Sequence, residues 1–202
     1  MAKALSQRAV FEASNPLVIG DYNIMRRACE VVGSSAKLRT VETPEGVTGE
    51  YGVIRMGEVS AMCGRAAYDS IRKAVELALD GKIAAMATGP INKESLRAAE
   101  IDRIGHTEII GSLTGTEDPL TMFEVDKMRI FFLTRHVSLR KAIDMIRTDR
   151  MIDYLRRCTA ALTQLGVDRK DIAVAGLNPH CGDGGQFGDE DDREIKPAIE
   201  AA

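Results

Sequence analysis

The chain has 202 residues, a formal net charge of −3, and 45% hydrophobic and 28% charged residues. This composition is typical of globular proteins, and the weakly acidic charge argues against a nucleic-acid-binding domain, which usually carries a basic surface. No apolar run approaches the roughly 20 residues of a membrane-spanning helix, and Met1–Val10 lacks the apolar core of a signal peptide. The four cysteines form no CxxC pair, so we expect a reducing, cytoplasmic location without a disulfide framework or a cysteine zinc site.

The predicted elements alternate between short strands and helices in chain order. Strands are predicted at Val18–Ile19, Leu38–Val41, Ile83–Ala87, Arg129–Leu133 and Ile172–Ala175. Helices are predicted at Ile24–Val32, Cys63–Leu79, from Glu94 onward, at Leu139–Ile146, at about Arg150–Leu165 and after Asp191. An irregular stretch is expected around Pro44, Gly46 and Gly49.

This alternation predicts an α/β fold with a mostly parallel sheet and helices on both faces. We expect residues 1–202 to form a single α/β region, since no linker or internal repeat interrupts it. Ligands bind at the carboxyl ends of the strands in such sheets, which directs attention to the loops that follow them.

All three histidines are predicted to lie in loops, and two of them directly follow a predicted strand. His136 directly follows the Arg129–Leu133 strand, His180 follows the Ile172–Ala175 strand, and His106 precedes Thr107 and Glu108 at the start of a probable helix. Neutral imidazole suits zinc, cobalt, nickel or iron, so His136 and His180 could share a divalent metal. A solvated or capping role for each histidine is the alternative. His106 or Thr107 could likewise cap its helix or donate to a bound phosphate or carboxylate.

The loop at Asn178–Gly185 is rich in glycine, which lets a ligand approach the main chain closely. Pro179 stiffens the entry to His180. The alternative is a flexible surface loop in which the acidic residues form a solvated face; these residues are Asp183, Asp189, Glu190 and Asp191. Cys181 could be a nucleophile, but a packed or idle thiol is the simpler interpretation.

A further turn, Thr88–Lys93, leads from a strand into a helix and could hold an anion, with Lys93 adding a charge. It has neither Walker nor GxGxxG spacing, so an ordinary strand-to-helix turn is the favoured interpretation.

Four of these loops together, in this order, resemble the 4-hydroxythreonine-4-phosphate dehydrogenase family over almost the whole chain from about Asn15. The motifs are Gly89-Pro90-Ile91-Asn92-Lys93, Gly105-His106-Thr107-Glu108, Leu133-Thr134-Arg135-His136 and Asn178-Pro179-His180-Cys181-Gly182-Asp183-Gly184-Gly185. The resemblance implies a two-lobed fold like that of isocitrate and isopropylmalate dehydrogenases, in a cytoplasmic homodimer. It implies that His136 and His180 bind a divalent metal (zinc, cobalt, magnesium or manganese) and that His106 and Thr107 bind substrate; it assigns no catalytic or NAD-binding residue.

The reaction implied by the resemblance is NAD-dependent oxidation of a secondary alcohol followed by loss of carbon dioxide from the β-keto acid, in pyridoxine biosynthesis or sugar-acid catabolism. Arg135 stands where biosynthetic relatives carry a small residue, and its guanidinium suits an additional carboxylate or hydroxyl. This difference favours threonate or erythronate 4-phosphate over 4-phosphohydroxythreonine.

The resemblance also implies that the chain is truncated at both ends. The family's glycine-rich N-terminal loop and its third metal histidine, in a YHDQG-like segment, have no counterpart here, and most of the C-terminal cofactor-binding part is missing. Two alternatives therefore stay open: an inactive fragment that retains an anion or metal site, and a metal-assisted phosphohydrolase or transferase on the same scaffold.

Overall fold

A computed structural model of the chain describes residues 1–40, 55–103 and 105–202. These residues form two compact units, Met1–Pro119 and Leu120–Ala202. The predicted stretch around Pro44, Gly46 and Gly49 lies outside the described residues, and the single α/β region predicted for residues 1–202 stays a prediction.

The first unit is helical. After a 3₁₀ turn at Ala4–Ser6, its helices are α1 (Arg8–Ala13), α2 (Tyr22–Val31), α3 (Ala61–Leu79), α4 (Lys93–Ala98) and α5 (His106–Thr114). The predicted helices at Ile24–Val32 and Cys63–Leu79 are confirmed as α2 and α3. Each has a side-chain cap, because the main-chain N–H of Ile24 donates to Asp21 at 2.9 Å and that of Cys63 donates to Ser60 at 3.4 Å.

The core of the first unit lies where α4 and α5 pack against α3. Its buried members are Ile71, Val75, Leu96 and Ile109. Gly64 makes the close approach of α3 to α4 possible, because a Cβ at this position would overlap the main-chain carbonyl of Ser95.

The second unit combines a hairpin with three helices. Its elements are β1 (Met122–Val125), β2 (Met128–Phe131), α6 (Leu139–Asp144), α7 (Thr148–Gln164), a 3₁₀ turn at Pro179–Gly182, a π-helical turn at Asp191–Ile195 and α8 (Lys196–Ala201). The predicted helices after Ser138 and before Gly166 are confirmed as α6 and α7. A buried cluster of Met151, Ile195 and Ala198 joins α7 to the C-terminal turn and helix.

Among the described residues, the only paired strands are β1 and β2, which run antiparallel with Met122 opposite Phe131. The predicted strand at Arg129–Leu133 therefore exists, shifted by a residue or two, but as half of an exposed hairpin. The segments Ile83–Ala87 and Ile172–Ala175 were expected to be buried strands, and this expectation was wrong. They have no strand partner in the described part of the chain, and all five of their alanines are exposed. Val18–Ile19 and residues 38–40 also lack strand pairing.

None of the helices in the described segments combines the length and the apolar character needed to cross a membrane.

Candidate functional site

His106 and Thr107 occupy the first turn of α5, where main-chain N–H groups lack helical partners. Both side chains are half-buried. Ile109, fully buried in the core, anchors this turn. The helix is capped by Gly105, which has no side chain, so neither His106 nor Thr107 is the cap that sequence reasoning allowed. Their side chains are therefore available to a ligand at the start of α5.

A cleft of about 320 Å³ lies beside α3 and α5 in the same unit. Its charged lining is balanced, since Arg65 and Arg103 are matched by Glu100 and Asp102. Arg103 also donates to the main-chain carbonyl of Asp102 at 2.6 Å and to the hydroxyl of Ser112 at 3.2 Å. Neither of the predicted substrate-binding residues lines this cleft, and its charge balance does not favour an anion.

The turn at Thr88–Lys93 is an ordinary helix start. The Oδ1 atom of Asn92 accepts the main-chain N–H of Ser95 at 2.7 Å, which makes Asn92 the cap of α4. Lys93 is exposed to solvent. The helix start that the sequence predicts after this turn is confirmed, but the segment before it, Ile83–Ala87, is not a strand.

His136 lies in a loop that is fixed at its base to α7. The main-chain carbonyl of Phe132 accepts the hydroxyl of Tyr154, and that of Leu133 accepts Arg150 at 2.9 Å. The guanidinium of Arg135 donates to the hydroxyl of Thr121. His136 itself is exposed and has a φ of 51°, a left-handed conformation that is uncommon for residues other than glycine.

His180 lies in the 3₁₀ turn at Pro179–Gly182 and has a φ of 54°. Cys181 and Asp183 are left-handed as well, at 53° and 45°. The imidazole is exposed, and its centroid lies 6.4 Å from that of the Phe187 ring. Such conformations cost energy and persist where the surroundings hold them, which makes them a frequent feature of functional loops.

The two histidine loops start from the same hydrophobic cluster. Leu133 and Leu177 both pack against the cluster of Met151, Ile195 and Ala198, and each precedes its histidine by three residues. Because three residues span at most about 10 Å, the Cα atom of each histidine lies within about that distance of the Cα atom of its leucine. The sequence predicted that His136 and His180 each follow a strand. Only the structure shows that the segments before them pack against the same cluster.

The chemistry of these two residues fits a divalent metal. Among the described residues, neither imidazole is engaged in a hydrogen bond or an ion pair, and neutral imidazole nitrogens are good ligands for zinc and cobalt. Within residues 1–40, 55–103 and 105–202, however, no group of three or more His, Cys, Asp and Glu side chains is placed to hold a metal ion. His136 and His180 could therefore supply two ligands of a site that needs others.

Sequence reasoning missed two buried carboxylates. Asp191, expected on a solvated face, is only 5% exposed, and Glu194 is 7% exposed. Burial raises the pKa of Asp191, but the hydrogen bonds from Leu177 and Asn178 more than offset it and leave that pKa lowered. Hydrogen bonds from Thr148, opposed by burial, lower the pKa of Glu194. The three-residue spacing that puts both carboxylates beside Ile195 and Ala198 was the available signal.

Comparisons with known proteins identify the family. Residues 12–202 match the family described as "Pyridoxal phosphate biosynthetic protein PdxA". The chain belongs to the PdxA family. It is 52% identical to a protein of Symbiobacterium thermophilum and 47% identical to one of Fusobacterium nucleatum, both provisionally named D-threonate 4-phosphate dehydrogenase. Each alignment covers 100% of this chain, which spans 64% of the length of each relative.

Solved structures agree with this assignment. The crystal structure of a 4-hydroxythreonine-4-phosphate dehydrogenase from Burkholderia phymatum matches with a TM-score of 0.85 and 34% identity, over 98% of this chain and 64% of that one. The enzyme of the same name from Klebsiella pneumoniae matches 73% of this chain with a TM-score of 0.68 and 41% identity, over 45% of its own length. The chain therefore has the fold of these dehydrogenases over part of their length, which confirms the fold class implied by the resemblance.

Proposed function

We propose that this chain acts in an NAD-dependent and divalent-metal-dependent dehydrogenase that oxidises and decarboxylates a phosphorylated four-carbon hydroxy acid. We favour threonate 4-phosphate, with erythronate 4-phosphate and 4-phosphohydroxythreonine as alternatives of the same class. The names of the relatives from Symbiobacterium and Fusobacterium support the first of these substrates. The names of the proteins whose structures match, 4-hydroxythreonine-4-phosphate dehydrogenases, support a 4-phosphorylated substrate of the same class.

One structural observation carries the metal-dependent part of the proposal. The loops of His136 and His180 start from one buried cluster, and both imidazoles are exposed on left-handed backbone. The proposed role of each is to present a neutral ring nitrogen to the metal. When bound, the metal supplies Lewis-acid stabilisation of negative charge on the substrate oxygens.

The proposed reaction balances without any further reactant. The secondary alcohol loses hydride to the nicotinamide of NAD and its hydroxyl proton to a base, giving a β-keto acid. The bond to the carboxylate then breaks, carbon dioxide leaves, and the electron pair stays on the carbon that is subsequently protonated. We assign no residue of this chain to NAD, since no GxGxxG fingerprint occurs in its sequence.

His106 and Thr107 would bind an anionic group of the substrate. Their imidazole and hydroxyl supply hydrogen-bond donors, and the first turn of α5 adds unpaired main-chain N–H groups and the positive end of the helix dipole. Half-burial of both side chains would strengthen these hydrogen bonds relative to a fully solvated site.

We also propose a cytoplasmic homodimer. The β1–β2 hairpin exposes four apolar side chains, those of Phe123, Val125, Met128 and Ile130, each by 38% or more of its surface. Contiguous apolar surface of this kind usually marks an interface. A second copy of the chain is the partner that the family resemblance implies.

The test is NADH formation from a panel of phosphorylated four-carbon hydroxy acids, with added divalent metal and with a chelator control. It is run on this chain and on one extended at both ends with the family's flanking segments. Chelator-sensitive NADH formation by either chain, with threonate 4-phosphate as the best substrate, is the expected result. Absence of NADH from both chains, with release of inorganic phosphate instead, would contradict the proposal.

An inactive fragment is the second candidate, favoured by the absence of a three-ligand metal group among the described residues. Turnover by the extended chain alone would keep the proposed reaction and show that these 202 residues are inactive by themselves, whereas turnover by the 202-residue chain would exclude this candidate.

A further inference from the structure

The carboxylate of Asp191 ties the loop that carries His180 to the turn that begins the C-terminal helix. Oδ1 accepts the main-chain N–H of Leu177 at 2.9 Å, and Oδ2 accepts that of Asn178 at 3.0 Å. The side-chain amide of Asn178 also donates to Oδ2, at 3.1 Å. Three donors therefore converge on one buried carboxylate, two and three residues before His180.

Neighbouring groups restrict the positions of the Asp191 carboxylate and the Asn178 side chain. The amide of Asn178 donates to Glu190 at 2.8 Å as well. A Cβ on Gly176 would lie 2.6 Å from the Sγ atom of Cys181 and 3.2 Å from Oδ1 of Asp191, and one on Gly188 would lie 2.8 Å from Nδ2 of Asn178. The loop is closely packed around the carboxylate, unlike the flexible surface loop that the sequence allowed.

The left-handed backbone of His180 needs such support. A φ of 54° at a residue with a Cβ is retained only where neighbouring contacts determine it. Asp191 fixes the main chain on the N-terminal side of the turn. On the C-terminal side, the main-chain N–H of Phe187 donates to Gly182 at 3.1 Å. Of these two restraints, only that of Asp191 depends on a side chain.

We infer that Asp191 is a positioning residue for His180. Its carboxylate holds Leu177 and Asn178, and through them it sets the direction in which the imidazole leaves the loop. The inference rests on the proposed function insofar as His180 is taken as a metal ligand. It extends that function by naming a residue that acts through the backbone of the loop and on which the ligand geometry depends.

The experiment compares Asp191→Asn with Asp192→Asn in the 202-residue chain. Asp192 is the adjacent residue and is exposed, so its variant carries the same charge change without the hydrogen bonds. Two quantities are measured on chains shown to be folded by circular dichroism: the Co²⁺ affinity by absorption titration, and the histidine ring signals by NMR. The chain has only three histidines, and the nearby Phe187 ring makes the His180 signal sensitive to its orientation.

We expect Asp191→Asn to shift the His180 ring signals, to leave those of His106 unchanged and to weaken Co²⁺ binding by on the order of tenfold. Asp192→Asn should behave as wild type in both measurements.

If Asp191→Asn does not fold, Asn178→Ala removes one of the three donors and should produce the same changes to a smaller degree. Unchanged His180 signals and Co²⁺ affinity in a folded variant would overturn the inference. A wild-type chain that binds no Co²⁺, with His180 signals that still respond to Asp191→Asn, would overturn the metal site and leave the positioning role standing.

Discussion

Leu133 and Leu177 pack against the same buried cluster, and each lies three residues before one of the candidate metal histidines. The packing of two aliphatic side chains thus brings together parts of the chain 44 residues apart, as the numbering of the two leucines shows. The hydrophobic core of the second unit and its proposed metal site are therefore linked. Weakening the cluster should loosen both loops.

Gly64→Ala tests the packing of α3 on α4. In an exposed helix this change stabilises by about 1 kcal/mol, but here the new methyl would overlap the carbonyl of Ser95. We expect a loss of about 1–3 kcal/mol in the free energy of unfolding, measured by urea denaturation. Gly89→Ala is the control, because a Cβ there meets no atom within 4 Å and its φ is not left-handed. Equal free energies of unfolding for Gly64→Ala and Gly89→Ala would contradict the close approach of α3 to α4 at Gly64.

Glu194→Gln tests the pH dependence of stability. The carboxylate accepts the main-chain N–H of Thr148 at 2.8 Å and faces Arg147 at 3.2 Å and Arg193 at 3.5 Å. Because its pKa is lowered in the folded chain, its contribution to stability is full above the ordinary value of about 4.3 and is lost as the pH falls through the folded value. The variant should be less stable than wild type near neutral pH, and the difference should shrink in acid.

Urea denaturation at several pH values measures this difference. Glu200→Gln is the control, since Glu200 lies exposed on α8. A stability gap for Glu194→Gln that stays constant from neutral pH to acid would be inconsistent with the lowered pKa.

The thiols should differ strongly in reactivity. Burial raises the pKa of Cys158 to about 11, despite the nearby charge of Arg157, so this thiol is protonated near neutral pH. Cys181 is exposed. With a disulfide reagent at neutral pH, we expect Cys181 to be modified first and Cys158 to react only on unfolding; peptide mass mapping identifies each site. Early modification of Cys158 in the folded chain would refute this order.

The apolar hairpin should contribute to self-association. Val125 and Met128 face each other at its tip, and each is more than half exposed. Met128→Lys should shift a dimer towards monomer in sedimentation velocity, because a charge would be buried in the interface. Leu139→Lys, at a leucine that is 80% exposed outside the hairpin, should not. A dimer unaffected by Met128→Lys would place the interface elsewhere.

The helices were predictable because their signals are local. Asp21, Ser60 and Ser138 cap helices within three residues of themselves, and the 3.6-residue period of α3 and α7 is visible in the sequence. Strand pairing is not local. The apolar run at Ile83–Ala87 shows that the segment would favour burial, but it carries no information about whether a neighbouring strand is present to accept its hydrogen bonds.

The same distinction applies to the candidate site. His106, His136 and His180 could be selected because they lie in loops next to predicted elements, and their roles in binding stay predictions. The helical spacing of Asp191 hints at its burial, but its hydrogen-bond partners could not be foreseen, because they are main-chain groups 13 and 14 residues away. In the sequence it stands among four acidic residues within the segment Asp189–Asp192, where solvation is the usual outcome.

The most direct test of the account is a Co²⁺ titration of wild type, His136→Ala, His180→Ala and His106→Ala, with circular dichroism to confirm folding. Because both histidine loops start from one cluster, we predict that either His136→Ala or His180→Ala abolishes the same single binding event, while His106→Ala leaves it intact. Unchanged Co²⁺ affinity in a folded His180→Ala chain would contradict the proposed metal site.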